Sequence, residues 1–183
     1  MGVYVMKNKA IVGAILVIFI LSGSILAQEI EQKTEFPYLT LRQKWQRATN
    51  DLNLFIIAGI SYVKSQGKPV ADFGKYLGEL FAPNWEEVKG KGVWGFVEGI
   101  YRNWQVLRGF NMRLLSITKT SIEAKIQDIG EASLETWTES GVTKEDYFRF
   151  YGQLMVTITD YLGLEYKQEV EEDWIYFTVT EKK

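Results

Sequence analysis

At Phe110 the apolar period of the chain changes from about 3.6 residues to 2, and no other feature constrains the fold as much. Before that point three stretches carry apolar residues at helical spacing. After it, "FNMRLLSITK" and "SIEAKIQDI" alternate in parts, as half-buried strands do, with Thr118 to Ser121 as the turn between them. The helical period returns once, from Thr143 to Leu162. The chain then closes on "LEYKQEV" and "WIYFTVT", a hairpin whose tip is Glu171 to Asp173. Helices and antiparallel strands in separate blocks predict an α+β fold: a layer of about four helices on a short antiparallel sheet of two hairpins.

The individual helices have readable limits. Pro37 introduces the first, from about Thr40 to Gln66, which ends at Gly67. Leu41, Trp45, Ala48, Leu52, Phe55, Gly59, Tyr62 and Val63 share one stripe of it. Its second half, "LFIIAGI", is apolar all round, which predicts a helix running through the middle of the domain. The second, Val70 to Phe81, stops before Pro83 and presents Phe73, Tyr76, Leu77, Leu80 and Phe81. The third is "VWGFVEGIYRNWQVL": Val93, Trp94, Phe96, Val97, Ile100, Tyr101, Trp104 and Leu107 fall in one arc of roughly 160°, the core face. Glu98 and Arg102 lie opposite, beside Gly95 and Gly99. The fourth opens with Thr143 and Asp146 as a capping box, Val142 and Tyr147 as a hydrophobic staple, and ends at Gly163. Gly130 to Gly141, with Trp137, reads as a linker.

The start of the chain reads as a secretory signal peptide over residues 1–27: Lys7 and Lys9, an apolar run from Ala10 to Leu21, then "SGSILA" before Gln28. An uncleaved anchor is the competing reading, because Ala10 to Ala27 is about long enough to span a bilayer. On the first reading the protein is exported, periplasmic or secreted, and residues 28–183 form a single domain that meets a membrane only if the leader is kept. Cleavage removes two lysines and takes the formal net charge from −2 to −4. That balance argues against a nucleic-acid partner, which basic side chains must hold through its phosphates.

The chain has no Cys and no His. Disulfides, thiolate nucleophiles, His-based triads and ordinary zinc or haem ligation are thereby excluded. No catalytic residue, metal ligand or cofactor is assigned. "GKGVWG" matches a dinucleotide fingerprint literally but has no strand before it and reads as a turn between helices. Glu165, Glu169, Glu171, Glu172 and Asp173 lack calcium-loop spacing and read as a charged strand tip. Asp72, Glu79 and Glu98 are possible members of a carboxylate pair, although nothing in their spacing brings two together. Glu98 and Arg102 form an i, i+4 pair, with Gly95 and Gly99 leaving room for a ligand or a helix on the same face.

From "GFVEGIYRNWQVLRGFNMRLLSITKTSIEAKIQDI" to "YFRFYGQLMVTITDYLGLEYKQEVEEDWIYFTVT" the order is helix, hairpin, linker, helix, hairpin. This plan resembles the 4-vinyl reductase-type domain and the related amino-thiazoline carboxylate hydrolase-like proteins over roughly Trp94 to Thr180. The resemblance implies a helical layer over a short sheet, with an apolar cavity between them that takes a small hydrophobic molecule. Those domains commonly carry Cys in the linker and last hairpin, so no thiol or metal role transfers. The expected function is binding of a small apolar or amphipathic ligand without catalysis. Tyr101, Trp104, Tyr147, Tyr151 and Trp174 are expected to line the site, with Glu98 and Arg102 beside it, because Tyr and Trp join an apolar body to one polar handle. The alternatives are a hydrolase-like enzyme using carboxylates and Tyr, and a protein-interaction module; a homodimer is compatible with either.

Overall fold

The computed structural model describes residues 38–107, 109–127, 139–172 and 174–182. The leader and cleavage point expected over residues 1–27, Pro37 and most of the linker with Trp137 lie outside them. Residues Leu41–Lys183 form one compact unit. This unit is an α+β fold: helices α1 (Leu41–Ser65), α2 (Val70–Phe81), a 3-10 helix (Ala82–Val88) and α3 (Gly92–Trp104), then strands β1 (Met112–Ile117) and β2 (Ser121–Gln127), helix α4 (Lys144–Leu162), and strands β3 (Leu164–Glu171) and β4 (Trp174–Glu181). The strands form one antiparallel sheet in the order β1-β2-β4-β3, so the two hairpins join along β2 and β4.

Alternation along the strands decides which face is covered. Ile122, Ala124 and Ile126 of β2, Ile175, Phe177 and Val179 of β4, and Leu164 and Tyr166 of β3 are buried under the helices. Glu123, Lys167 and their neighbours face solvent, the usual division in an antiparallel sheet. The turn falls at Thr118–Ser121, where the Thr118 hydroxyl oxygen accepts from the Ser121 amide at 2.9 Å. Edge strand β3 carries the exposed Glu165, Lys167, Glu169 and Glu171, charges that discourage pairing with another chain. The other edge, β1, has a register shift between Leu114 and Ser116.

Helix α4 starts and stops where its sequence says. Thr143 Oγ1 accepts from the Asp146 amide at 3.1 Å, and Asp146 Oδ2 accepts from the Thr143 amide at 3.0 Å. Gly163 closes the helix at φ +78°, a left-handed conformation that a side chain would strain. Burial alone would raise the Asp146 carboxyl, but hydrogen bonds from Lys64 and Thr143 outweigh it and hold the group below its ordinary value. Thr143→Ala is expected to cost about 1 kcal/mol in denaturant unfolding. A loss of a few tenths would mean that the cap contributes little.

Helix α1 corrects the expectation of a central, all-round buried helix. Its apolar stripe faces solvent: Leu41 is 85% exposed, Phe55 77% and Tyr62 66%, and Leu54 and Ala58 are exposed as well. The buried arc is Thr49, Asn53, Ile57 and Ile60. Polar anchors on or beside that arc explain the choice. Tyr147 donates to Asn53 Oδ1 at 3.4 Å, Ser61 donates to the Ser140 carbonyl at 2.8 Å, and Lys64 donates to the Gly141 carbonyl at 2.8 Å. A buried polar group that keeps a hydrogen-bond partner avoids a penalty of about 1 to 3 kcal/mol, comparable to what burying an exposed Leu or Phe would gain.

Helix α2 differs in the same sense. Its buried residues are Val70, Gly74 and Gly78, while Phe73 and Leu77 are half-buried and Tyr76, Leu80 and Phe81 are exposed. The two glycines form the seam with α4. A Cβ on Gly74 would lie 2.4 Å from the Phe150 carbonyl oxygen, and one on Gly78 would lie 2.6 Å from Thr157 Cβ. Pro83 ends α2 as expected, but the chain continues as the 3-10 helix and turns Trp85 into the core, 5.4 Å from Phe96 between ring centroids.

Helix α3 buries Val93, Gly95, Phe96, Val97 and Ile100. Trp94 and Tyr101, expected on its core arc, are about half exposed at the margin of that arc. The "GKGVWG" segment runs from the turn after the 3-10 helix into the first turn of α3, with positive φ at Gly90 and Gly92. The space beside Gly99 is taken by the Trp85 indole, to which a Cβ there would come within 2.5 Å.

Candidate functional site

A cavity of about 540 Å³ lies within the helical layer. Helix α1 contributes Leu52, Phe55 and Ile56; α2 contributes Phe73, Leu77 and Phe81; Asn84 and Trp85 come from the 3-10 helix and Asn103 and Trp104 from α3. Helix α4 closes the floor with Phe150, Tyr151, Leu154, Met155 and Ile158. No strand residue lines it. The space exists because the glycine seam brings α2 flush with α4 while the polar anchors of α1 seat that helix on a different arc. Phe73 spans part of the gap, stacked 5.1 Å from Phe150 and so close to Gly59 that a Cβ there would meet its ring at 2.5 Å.

The wall is apolar with a few polar points. Asn84 and Asn103 are exposed, while Tyr151 is buried. Burial raises the Tyr151 phenol above its ordinary value, and a hydrogen bond with Tyr147 opposes only part of the rise. The phenol therefore stays neutral at physiological pH. Tyr147 sits behind it, fully buried, with ring centroids 4.8 Å apart, and connects in turn to Asn53. Trp104 meets Tyr151 edge to face at 5.6 Å. Among the described residues that line the cavity there is no carboxylate and no amine. Such a wall can exclude water, shape a hydrophobic guest and orient one polar group.

The expected site residues separate into three places. Trp104 and Tyr151 share the cavity wall, with Tyr147 directly beneath. Tyr101 and Glu98 lie instead in a smaller groove of about 260 Å³ between α3 and β1, with Trp94, Val97, Met112 and Leu114. Arg102 pairs with Glu98 at 2.5 Å on the surface. Trp174 stands on the solvent face of the sheet, with Lys125 Nζ 4.3 Å and the Arg113 guanidinium 5.2 Å from its ring. The sequence does hold a sign for this last residue: Ile175, Phe177 and Val179 take the inner face of β4, which leaves Trp174 the outer one. Asn84, Asn103, Phe73, Leu77 and Leu154 line the cavity without having been expected there. The two asparagines are isolated amides among aromatic residues, and that contrast is the one signal for them in the sequence.

No group of three or more acidic side chains among the described residues is placed to hold a metal ion. Glu165 pairs with Lys167 at 3.0 Å. Comparison of the chain with family models, with curated proteins and with solved structures returns no match, so the reading of this site rests on its own geometry.

Proposed function

We propose that the protein binds a small apolar or amphipathic molecule in the cavity between α1, α2 and α4, and that it makes and breaks no bond. The observation that carries this reading is an apolar cavity of about 540 Å³ with a neutral buried phenol on its wall and two asparagines beside it. That volume is within the usual range for small-molecule sites, roughly 300 to 1,000 Å³. The resemblance to 4-vinyl reductase-type domains implies the same class of ligand but a cavity between helices and sheet, whereas this one lies among the helices. The signal-peptide reading of residues 1–27 supports binding outside the cytoplasm.

The test is titration with an environment-sensitive apolar probe such as N-phenyl-1-naphthylamine. Wild-type protein is expected to bind it with enhanced emission. Trp104→Leu should weaken binding while costing less stability than the roughly 3 to 5 kcal/mol of emptying a packed aromatic site, because a cavity wall already lacks partners on one side. Tyr101→Leu, in the other groove, should leave binding unchanged. Absence of probe binding by wild-type protein would remove the proposal.

A further inference from the structure

We propose that the exposed stripe of α1 is a docking face for an anionic lipid bilayer, a membrane contact separate from any made by the leader. Leu52 and Phe55 of this stripe also line the cavity, so the face borders it, but the inference holds whether or not the cavity takes a ligand. Leu41, Trp45, Leu52, Phe55 and Tyr62 form one apolar and aromatic line along a 25-residue helix and remain exposed in the folded unit. A helix of that length extends roughly 37 Å, and Trp45 and Tyr62 are spaced along it by about 25 Å. Tyr62 suits the headgroup boundary, where a ring is partly buried and its polar handle stays wet, whereas the Trp45 indole N–H is held by the Val106 carbonyl and offers only its apolar ring edge.

Charge selects the partner. Helix α1 carries Arg42, Lys44, Arg47 and Lys64 against Asp51 alone, a net of +3 in a chain whose formal net charge is −2. Lys64 is engaged with Asp146, whereas Arg42, Lys44 and Arg47 are exposed in the first two turns. By the helical period Lys44 and Arg47 flank the stripe on the side away from the protein. An apolar line with a basic margin is the pattern of a helix lying in a membrane interface. Phosphate headgroups would meet these cations, while the acidic remainder of the molecule would be repelled, which fixes the orientation. A second copy of the chain suits the face less well, since a two-fold contact would set one basic margin against its twin.

The chain has no Cys, so single labelling sites can be introduced cleanly. Nitroxide labels would be placed in the full chain through Leu41→Cys or Tyr62→Cys, stripe positions outside the cavity wall, and through Lys167→Cys on the solvent face of the sheet as a control. On vesicles of phosphatidylcholine with phosphatidylglycerol, accessibility of the stripe labels to a water-soluble nickel chelate is expected to fall several-fold. Accessibility at residue 167 should not change. High salt, or Lys44→Glu with Arg47→Glu, should restore it. Stripe labels that stay open to the chelate on these vesicles would overturn the proposal. So would equal protection on pure phosphatidylcholine, which would make the contact apolar alone. Protection without lipid that grows with protein concentration would also overturn it, and assign the face to a second copy.

Discussion

Gly74→Ala is expected to destabilise the protein by about 3 kcal/mol, although alanine is the better helix former by roughly 1 kcal/mol. The new methyl would sit 2.4 Å from the Phe150 carbonyl oxygen, 3.1 Å from Gln153 Cβ and 3.2 Å from the Leu154 amide nitrogen. Two of those atoms are backbone inside α4, so no side-chain rotation relieves the contact. The helices must move apart, and the stacking of Phe73 on Phe150 loosens with them. Gly59→Ala makes the contrast. Its Cβ would meet the Phe73 ring at 2.5 Å, but a ring beside an open cavity can swing away, so the loss should be clearly smaller. Denaturant unfolding of both variants checks the pair. A Gly74→Ala protein as stable as wild type would mean that α2 and α4 do not pack backbone to backbone.

These glycines mark the boundary of what the sequence makes legible. The α+β class, the start of α4 at Thr143, its end at Gly163 and the turn at Thr118–Ser121 are all decided by residues a few positions apart. Each can be read from a short window. The orientations of α1 and α2 are decided by residues far apart in the chain. Asn53 lies on the buried arc against Tyr147, 94 positions away, and Ser61 turns inward towards Ser140, 79 positions away. Periodicity measures where a helix is apolar and assumes that the apolar side goes inside. In α1 the apolar stripe and the buried arc are adjacent but different, and in α2 the contact runs along glycines that a hydropathy pattern counts as nearly neutral. The cavity follows from both exceptions, which is why Trp104 and Tyr151 could be picked out as rings near a site while Phe73, Leu77 and Asn84 could not.

Leu77→Trp is expected to reduce binding of an apolar probe at least tenfold, about 1.4 kcal/mol, while leaving stability unchanged or slightly higher. Leu77 is half-buried on the cavity wall, in a lining that also includes Leu154, Trp104 and Phe55. In a close-packed interior an indole in place of Leu forces neighbours off their rotamers and typically costs 1 to 3 kcal/mol. Here the added ring enters volume that holds no protein atoms, so it gains dispersion contacts instead of displacing them. A filled wall gives up the space a guest would occupy, and binding should fall for the same reason that stability does not. Stability by thermal unfolding and binding by probe fluorescence, measured on the same preparation, therefore separate a real cavity from a tightly packed core. If Leu77→Trp instead destabilises the protein by about 2 kcal/mol or more and probe emission persists, the probe binds elsewhere and the helical layer is closed at this point.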